Sequence, residues 1–233
     1  EGKNPNWNTV TTGIYGWTGG ISTNNGYKPH PYNYETRITL GRDSSDTISI
    51  ENISSSGYFG DAYGILIDSQ DPYASDEYDQ KVIVDINGSS VFRNIHAESS
   101  DPQASYAAAI KGTGAVININ GKVLIENITS RIATGSQDNA QAYALSSYQC
   151  NEINVNKDHS EKNTVNITGD ILAWAYSSVR MNLSNALSQY RGAIKTAWSG
   201  AVVIDSQNGS QVNIDKIITV PGDDVGGTFD FTN

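Results

Sequence analysis

A unit of apolar strand, Asn/Asp/Gly-rich turn and second apolar strand recurs five times in this 233-residue chain, and it constrains the fold more than any other feature. The copies run from Ile38-Thr-Leu40 to Ile48-Ser-Ile-Glu-Asn-Ile53, and from Val82-Ile-Val-Asp-Ile-Asn-Gly88 to Val91-Phe-Arg-Asn-Ile95. They continue from Val116-Ile-Asn-Ile-Asn-Gly121 to Val123-Leu-Ile-Glu-Asn-Ile128, from Ile153-Asn-Val155 to Val165-Asn-Ile-Thr-Gly-Asp-Ile171, and from Val202-Val-Ile204 to Val212-Asn-Ile-Asp-Lys-Ile217. Inside them apolar residues alternate, as in Ile117 and Ile119, which is the period of strands with one buried face.

The residues before the first turn are Leu40, Ile86, Ile119, Val155 and Ile204, at gaps of 46, 33, 36 and 49. Val179-Arg-Met-Asn-Leu183 is another alternating strand, and anchoring it on Leu183 divides the last gap into 28 and 21. A third element closes each repeat: Ala62-Tyr-Gly-Ile-Leu-Ile67, Ser105-Tyr-Ala-Ala-Ala-Ile110, Ala142-Tyr-Ala-Leu145 and Ala175-Tyr-Ser-Ser178. Each repeat therefore reads as one coil with three walls, its surplus residues leaving as loops at 54–61, 68–80, 96–104 and 129–141.

One coil cannot bury its own apolar face, whereas neighbours above and below complete both core and backbone hydrogen bonds. The expected fold is all-β, a right-handed three-walled parallel β-helix (solenoid) with an N-terminal cap. Residues 1–35, rich in aromatics, proline and glycine, form the cap; 36–220 form the coils; 221–233 are a tail or the start of further coils. Roughly six coils at the usual strand spacing make a rod about 29 Å high.

A net charge of −10 with no run of Lys or Arg argues against a nucleic-acid footprint and against attraction to anionic lipid heads. No stretch approaches the roughly 18 or more apolar residues of a membrane span, so no direct membrane insertion of this fragment is expected. The one cysteine, Cys150, precedes an apolar strand and reads as a small buried hydrophobe. So few cysteines in a strand-rich chain fit export from a bacterium rather than a disulfide-stapled eukaryotic domain.

The strands Asn166-Ile-Thr-Gly-Asp-Ile-Leu172, Val179-Arg-Met-Asn-Leu183 and Ser188-Gln-Tyr-Arg-Gly-Ala-Ile194 resemble the repeated unit of bacterial autotransporter (type V secretion) passenger domains. The resemblance covers about residues 36–220. It implies a pertactin-like β-helix adhesin, secreted or displayed on the bacterial cell surface and anchored to the outer membrane through a part not present here. The implied partners are a host-surface protein or glycan, or another copy of the chain.

Enzymes also use parallel β-helices, and a polysaccharide hydrolase or lyase needs carboxylates gathered on one wall. Asp223-Asp224 sits among glycines as a solvated turn, Asp158-His159 stands alone, and no set recurs on successive coils. The chain reads as a binding module, not an enzyme, with no cofactor. His30, His96 and His159 lack metal-ligand spacing, so no metal site is expected. Six Asn-x-Ser/Thr sequons, at Asn52, Asn87, Asn127, Asn166, Asn182 and Asn208, follow from the Asn- and Ser-rich turns.

Tyr63, Tyr106, Tyr143 and Tyr176 recur in the Ala-Tyr element; Tyr63 shares parity with Ile65 and Ile67, which favours a stack inside the core. The expected ligand site is the acidic insertion containing Tyr73, Asp76, Glu77 and Tyr78. Replacing Tyr73, Glu77 and Tyr78 is expected to weaken ligand binding without moving the thermal midpoint; binding that survives exchange of all four loops would discard that assignment.

Overall fold

The structure, a computed structural model, describes residues 7–11, 15–18, 35–69, 81–102, 104–220 and 226–232. Among these the chain is all-β: nineteen strands, numbered along the chain, one 3-10 turn at Gln137–Asn139 and no α-helix. Every pairing is parallel.

One sheet stacks seven strands in chain order: β3 (Glu35–Leu40), β6 (Lys81–Ile86), β9 (Ala115–Ile119), β12 (Glu152–Val155), β15 (Ser178–Leu183), β17 (Ala201–Ser206) and β19 (Thr228–Thr232). The second sheet has twelve strands and contains two ladders. The first is β4 (Thr47–Gly57), β7 (Ser89–Ser99), β10 (Val123–Ile132) and β13 (Val165–Thr168). In the other, β1 (Trp7–Thr11) and β2 (Tyr15–Thr18) lie beside β5 (Phe59–Ser69), followed by β8 (Ser105–Thr113), β11 (Ala140–Tyr148) and β14 (Ile171–Trp174). The ladders join at β16 (Gln189–Ala197), whose start pairs with β13 and whose end pairs with β14; β18 (Gln211–Val220) then runs along β16.

The repeats translate into register. Leu40 pairs with Ile86, Ile86 with Ile119 and Ile119 with Val155. Val155 then pairs with Met181, and Met181 with Ile204, so the anchor of that copy is Met181 and not Leu183. Both side chains are fully buried on one face, and alternation alone does not choose between them. Repeat length shortens along the chain. Asp61 pairs with Tyr106, 45 residues on, whereas Ile171, Ile194 and Ile217 follow at intervals of 23.

The main apolar cluster lies between the ladders and draws on all of them: Val84 and Ile117 from one sheet, Phe92 and Ile125 from a second ladder, Ile65 and Ile110 from the third. Two kinds of corner shape it. At Asn52, Asn94 and Asn127 the backbone is left-handed, with φ of 60°, 57° and 56°. Asn tolerates this region better than most residues. The corner puts residues three apart on the same side, so Phe92 and Ile95 both enter the core. The three asparagines stack: Asn94 Nδ2 donates to Asn52 Oδ1 at 2.9 Å, and Asn127 Nδ2 to Asn94 Oδ1 at 2.7 Å. Beside them Arg93 joins Glu51, its Nε donating to Oε2 at 2.9 Å, and reaches Glu126 at 3.6 Å.

The other corner lies in the third ladder, where Gly64-Ile65, Ala109-Ile110 and Ala144-Leu145 place successive residues in the interior. A Cβ on Gly64 would sit 2.5 Å from the Ala109 carbonyl and 3.0 Å from Phe92 and Ile95, so glycine is required by close approach.

Two expectations are corrected here. Much of the segments 54–61, 96–104 and 129–141 is not loop: β4 runs to Gly57, β7 to Ser99 and β10 to Ile132, in register, with Ser55, Ala97, Ser99 and Ile132 buried. Their polar alternation marks strands past the Asn corner. Cys150 is exposed, because it occupies a left-handed turn with Gln149 at φ of 58° and 44°.

Asn94→Ala is expected to lower the unfolding free energy by about 1–3 kcal/mol, combining left-handed strain with two lost hydrogen bonds. Asn94→Gly, relieved of the strain, should lose distinctly less; urea titrations that show equal losses would remove the backbone contribution.

Candidate functional site

The third ladder carries side chains on the face opposite the main cluster, and there aromatics and lysines gather. Tyr63, Ala108, Tyr143 and Leu172 form a separate buried cluster, with Leu66, Tyr106, Tyr148 and Trp174 packed against it. The expectation of tyrosines inside the central core is therefore corrected. The break in alternation at Gly64-Ile65 reverses the parity, leaving Ile65 and Ile67 inside and Tyr63 on the other face.

Tyr63 and Tyr143 are register equivalents through Ala108, while Tyr106 stands two positions earlier, opposite Asp61 and Gln141. The rings consequently interleave, with centroids 5.7 Å apart for Tyr63 and Tyr106 and 5.4 Å for Tyr106 and Tyr143. Tyr176 does not belong to this stack. It is 63% exposed and, with Ala175, forms a left-handed turn stacked on Gln149-Cys150.

Lys111 lies among the rings, its Nζ 5.3, 4.5 and 5.2 Å from the centroids of Tyr63, Tyr106 and Tyr148. Lys195, in the same register column, sits 5.0 Å from Tyr143 and 3.5 Å from Asp170. A cation over a ring face is attracted by the ring quadrupole, increasingly so where water is excluded. Each phenol has a partner: Tyr63 donates to Asp61 at 3.1 Å, Tyr143 to Gln141 Oε1 at 3.2 Å, and Tyr106 pairs with Ser146 Oγ. Burial pushes the Tyr106, Tyr143 and Tyr148 hydroxyls above the ordinary phenol value, so they remain protonated donors rather than bases.

Towards the later strands the stack opens into a groove of about 310 Å³ walled by Tyr143, Tyr148, Trp174 and Trp198, with Gln141 and Lys195 supplying polar groups. Tyr148 meets Trp174 edge-on at 5.0 Å, and Trp174 meets Trp198 at 5.1 Å with planes 36° apart. Trp198 is 45% exposed and sits at φ of 49° in the left-handed corner equivalent to Ala175-Tyr176. A second hollow, about 270 Å³, lies by Asn120, Asn156 and Asn163. Its amides are spent on holding the turn: Asn156 Oδ1 accepts from Ser160 N at 3.1 Å, and Asn163 Nδ2 donates to Asn120 O at 2.7 Å.

Of the residues expected to bind ligand, Tyr73, Asp76, Glu77 and Tyr78 all lie outside the described residues, as do Asp223-Asp224 and His30. His96 faces Thr129 Oγ1 at 2.9 Å, and His159 stands 3.5 Å from Asp205, on separate strands and turns. Among the described residues no three of His, Cys, Asp and Glu gather as metal ligands would.

Lys111, Lys195, Tyr148, Trp174 and Trp198 escaped the sequence reading. A signal existed: Tyr148, Trp174 and Trp198 are spaced by 26 and 24 residues, close to the 23-residue repeat interval of the later strands. The Ala175-Tyr176 word masks it, repeating the earlier Ala-Tyr elements at a position that is an exposed left-handed turn.

Searches against protein-family models, curated proteins and solved structures each find no match to this chain.

The Asp61 carboxyl is raised above the ordinary aspartate value, chiefly by burial and despite the Tyr63 hydroxyl and Lys111. The folded state then holds this proton more tightly than the unfolded chain, so the contribution to stability falls as pH rises from the ordinary aspartate pKa through the raised one. Asp61→Asn should abolish that component. The wild-type stability relative to the variant should decline across this window and then level off; a pH-independent difference in urea midpoints would contradict the assignment.

Proposed function

We propose that the chain is a right-handed three-walled parallel β-helix and serves as part of a surface-exposed bacterial adhesin, attaching to host or neighbouring cells through the side of the rod. Support for the three walls comes from three in-register parallel ladders visited in fixed order by the chain. Right-handedness follows from the strong preference of parallel crossover connections for that hand. Bacterial display of the autotransporter type rests on the resemblance of the strands between Asn166 and Ile194 and on the single cysteine.

The observation that carries the binding role is the outward aromatic row. Trp174 and Trp198 are large apolar groups on the side of a rigid ladder, outside the central cluster, and Trp198 is half open to solvent. Exposed apolar surface set on a rigid frame is characteristic of recognition sites. The buried phenols beside it stay protonated and so offer no free base for proton abstraction, which favours binding over lyase chemistry. The partner is a host-surface protein or glycan, or a second copy of the chain, met outside the cell.

The fluorescently labelled chain, incubated with cultured epithelial cells while polysaccharide breakdown is followed in parallel, is expected to show saturable retention without release of reducing ends or unsaturated sugars. Release of such products reassigns the chain to the carbohydrate-active enzymes. Absence of both retention and self-association leaves a passive spacer.

A further inference from the structure

We propose that the groove beside Trp174 and Trp198 binds a carboxylate-bearing glycan, its sugar rings against the indoles and a carboxylate on Lys195; this rests on the attachment role proposed above and names its ligand class.

The first argument concerns what this surface can offer. The backbone of β14 pairs on one side with β11 and on the other with β16, so its ladder groups are already bonded within the sheet. A peptide strand adding to the wall would find no free edge there. Recognition must come from side chains, and these are aromatic planes with a few polar groups at the margin. A pyranose has the matching anatomy: an apolar face for stacking and a hydroxyl rim for donors and acceptors. Gln141 supplies such a group, since Oε1 accepts from Tyr143 while its amide nitrogen is a donor.

Charge selects among glycans. The chain has 25 acidic and 15 basic residues, yet the groove lining includes Lys195 and no carboxylate. Asp170, outside the lining, lies 3.5 Å from the ammonium and steadies the side chain, and an ammonium has three donors to share. A cation at an aromatic wall of an otherwise anionic protein complements an acidic sugar better than a neutral one.

The exposure of Trp198 gives a further reason. The left-handed pair Trp198-Ser199 repeats the turns Gln149-Cys150 and Ala175-Tyr176, so this backbone belongs to the stacked turn itself. Trp198 is bulky, adopts φ of 49° and keeps 45% of its surface exposed. A large indole held open on a turn position that Gln149 and Ala175 also fill is apolar surface available to a ligand.

The test uses the whole chain on an array printed with oligouronates, sialylated oligosaccharides, neutral oligosaccharides and unfolded peptides. Retention should concentrate on carboxylate-bearing glycans. For the strongest of these, Trp198→Ala should weaken binding tenfold or more while Trp198→Tyr restores most of it. Lys195→Gln should leave stacking but remove the preference for the acid over the same oligomer with its carboxyls reduced. The proposal falls if no acidic glycan is retained, if neutral glycans or peptides bind equally well, or if Trp198→Ala binds like wild type. Cells retained equally by wild type and Trp198→Ala would remove the groove but keep the attachment role; an acidic glycan bound with no cell retention would do the reverse.

Discussion

Everything in this molecule depends on stacking one repeat over the next in parallel register. A parallel strand satisfies its backbone only when both neighbours continue it, so a corner in one repeat must lie above a corner in the last. The asparagines at 52, 94 and 127 meet that demand twice. Their left-handed backbones bend the strand, and their amides donate and accept along the stack. An amide ladder of this kind adds side-chain pairing to the backbone pairing that defines the sheet.

That constraint also governs where residues can be inserted. Early repeats carry long excursions after the Asn corner, but these are themselves stacked, Ser54 on His96 and His96 on Thr129. From Val165 onward β13 passes directly to β14 through Gly169, and the repeat falls to 23 residues. The groove opens beside this leaner part. Its aromatics are set by neighbouring strands of one rigid sheet, so their spacing is that of the ladder itself.

Outside the central cluster, the third ladder shows how a parallel sheet can hold a second buried layer. Three tyrosines, two lysines and their acidic partners convert an outward face into a half-closed surface. The phenols have hydrogen-bond partners, the lysines lie over rings, and the Trp198 indole beside them is exposed.

The residues alone determine the all-β class and most of the register, because alternation and repetition are local: Leu40, Ile86, Ile119 and Val155 are readable as one column without coordinates. Only tertiary structure decides the facing of side chains near corners. One bulge or left-handed residue reverses parity, so Tyr63 leaves the core that its spacing from Ile65 assigns to it, and Cys150 and Tyr176 turn to solvent. It also decides Met181 over Leu183, since a slip of two keeps the same face buried. The groove belongs to this second kind of information. Tyr148, Trp174 and Trp198 lie in three different repeats, and their rings meet only after parallel stacking has brought those repeats together.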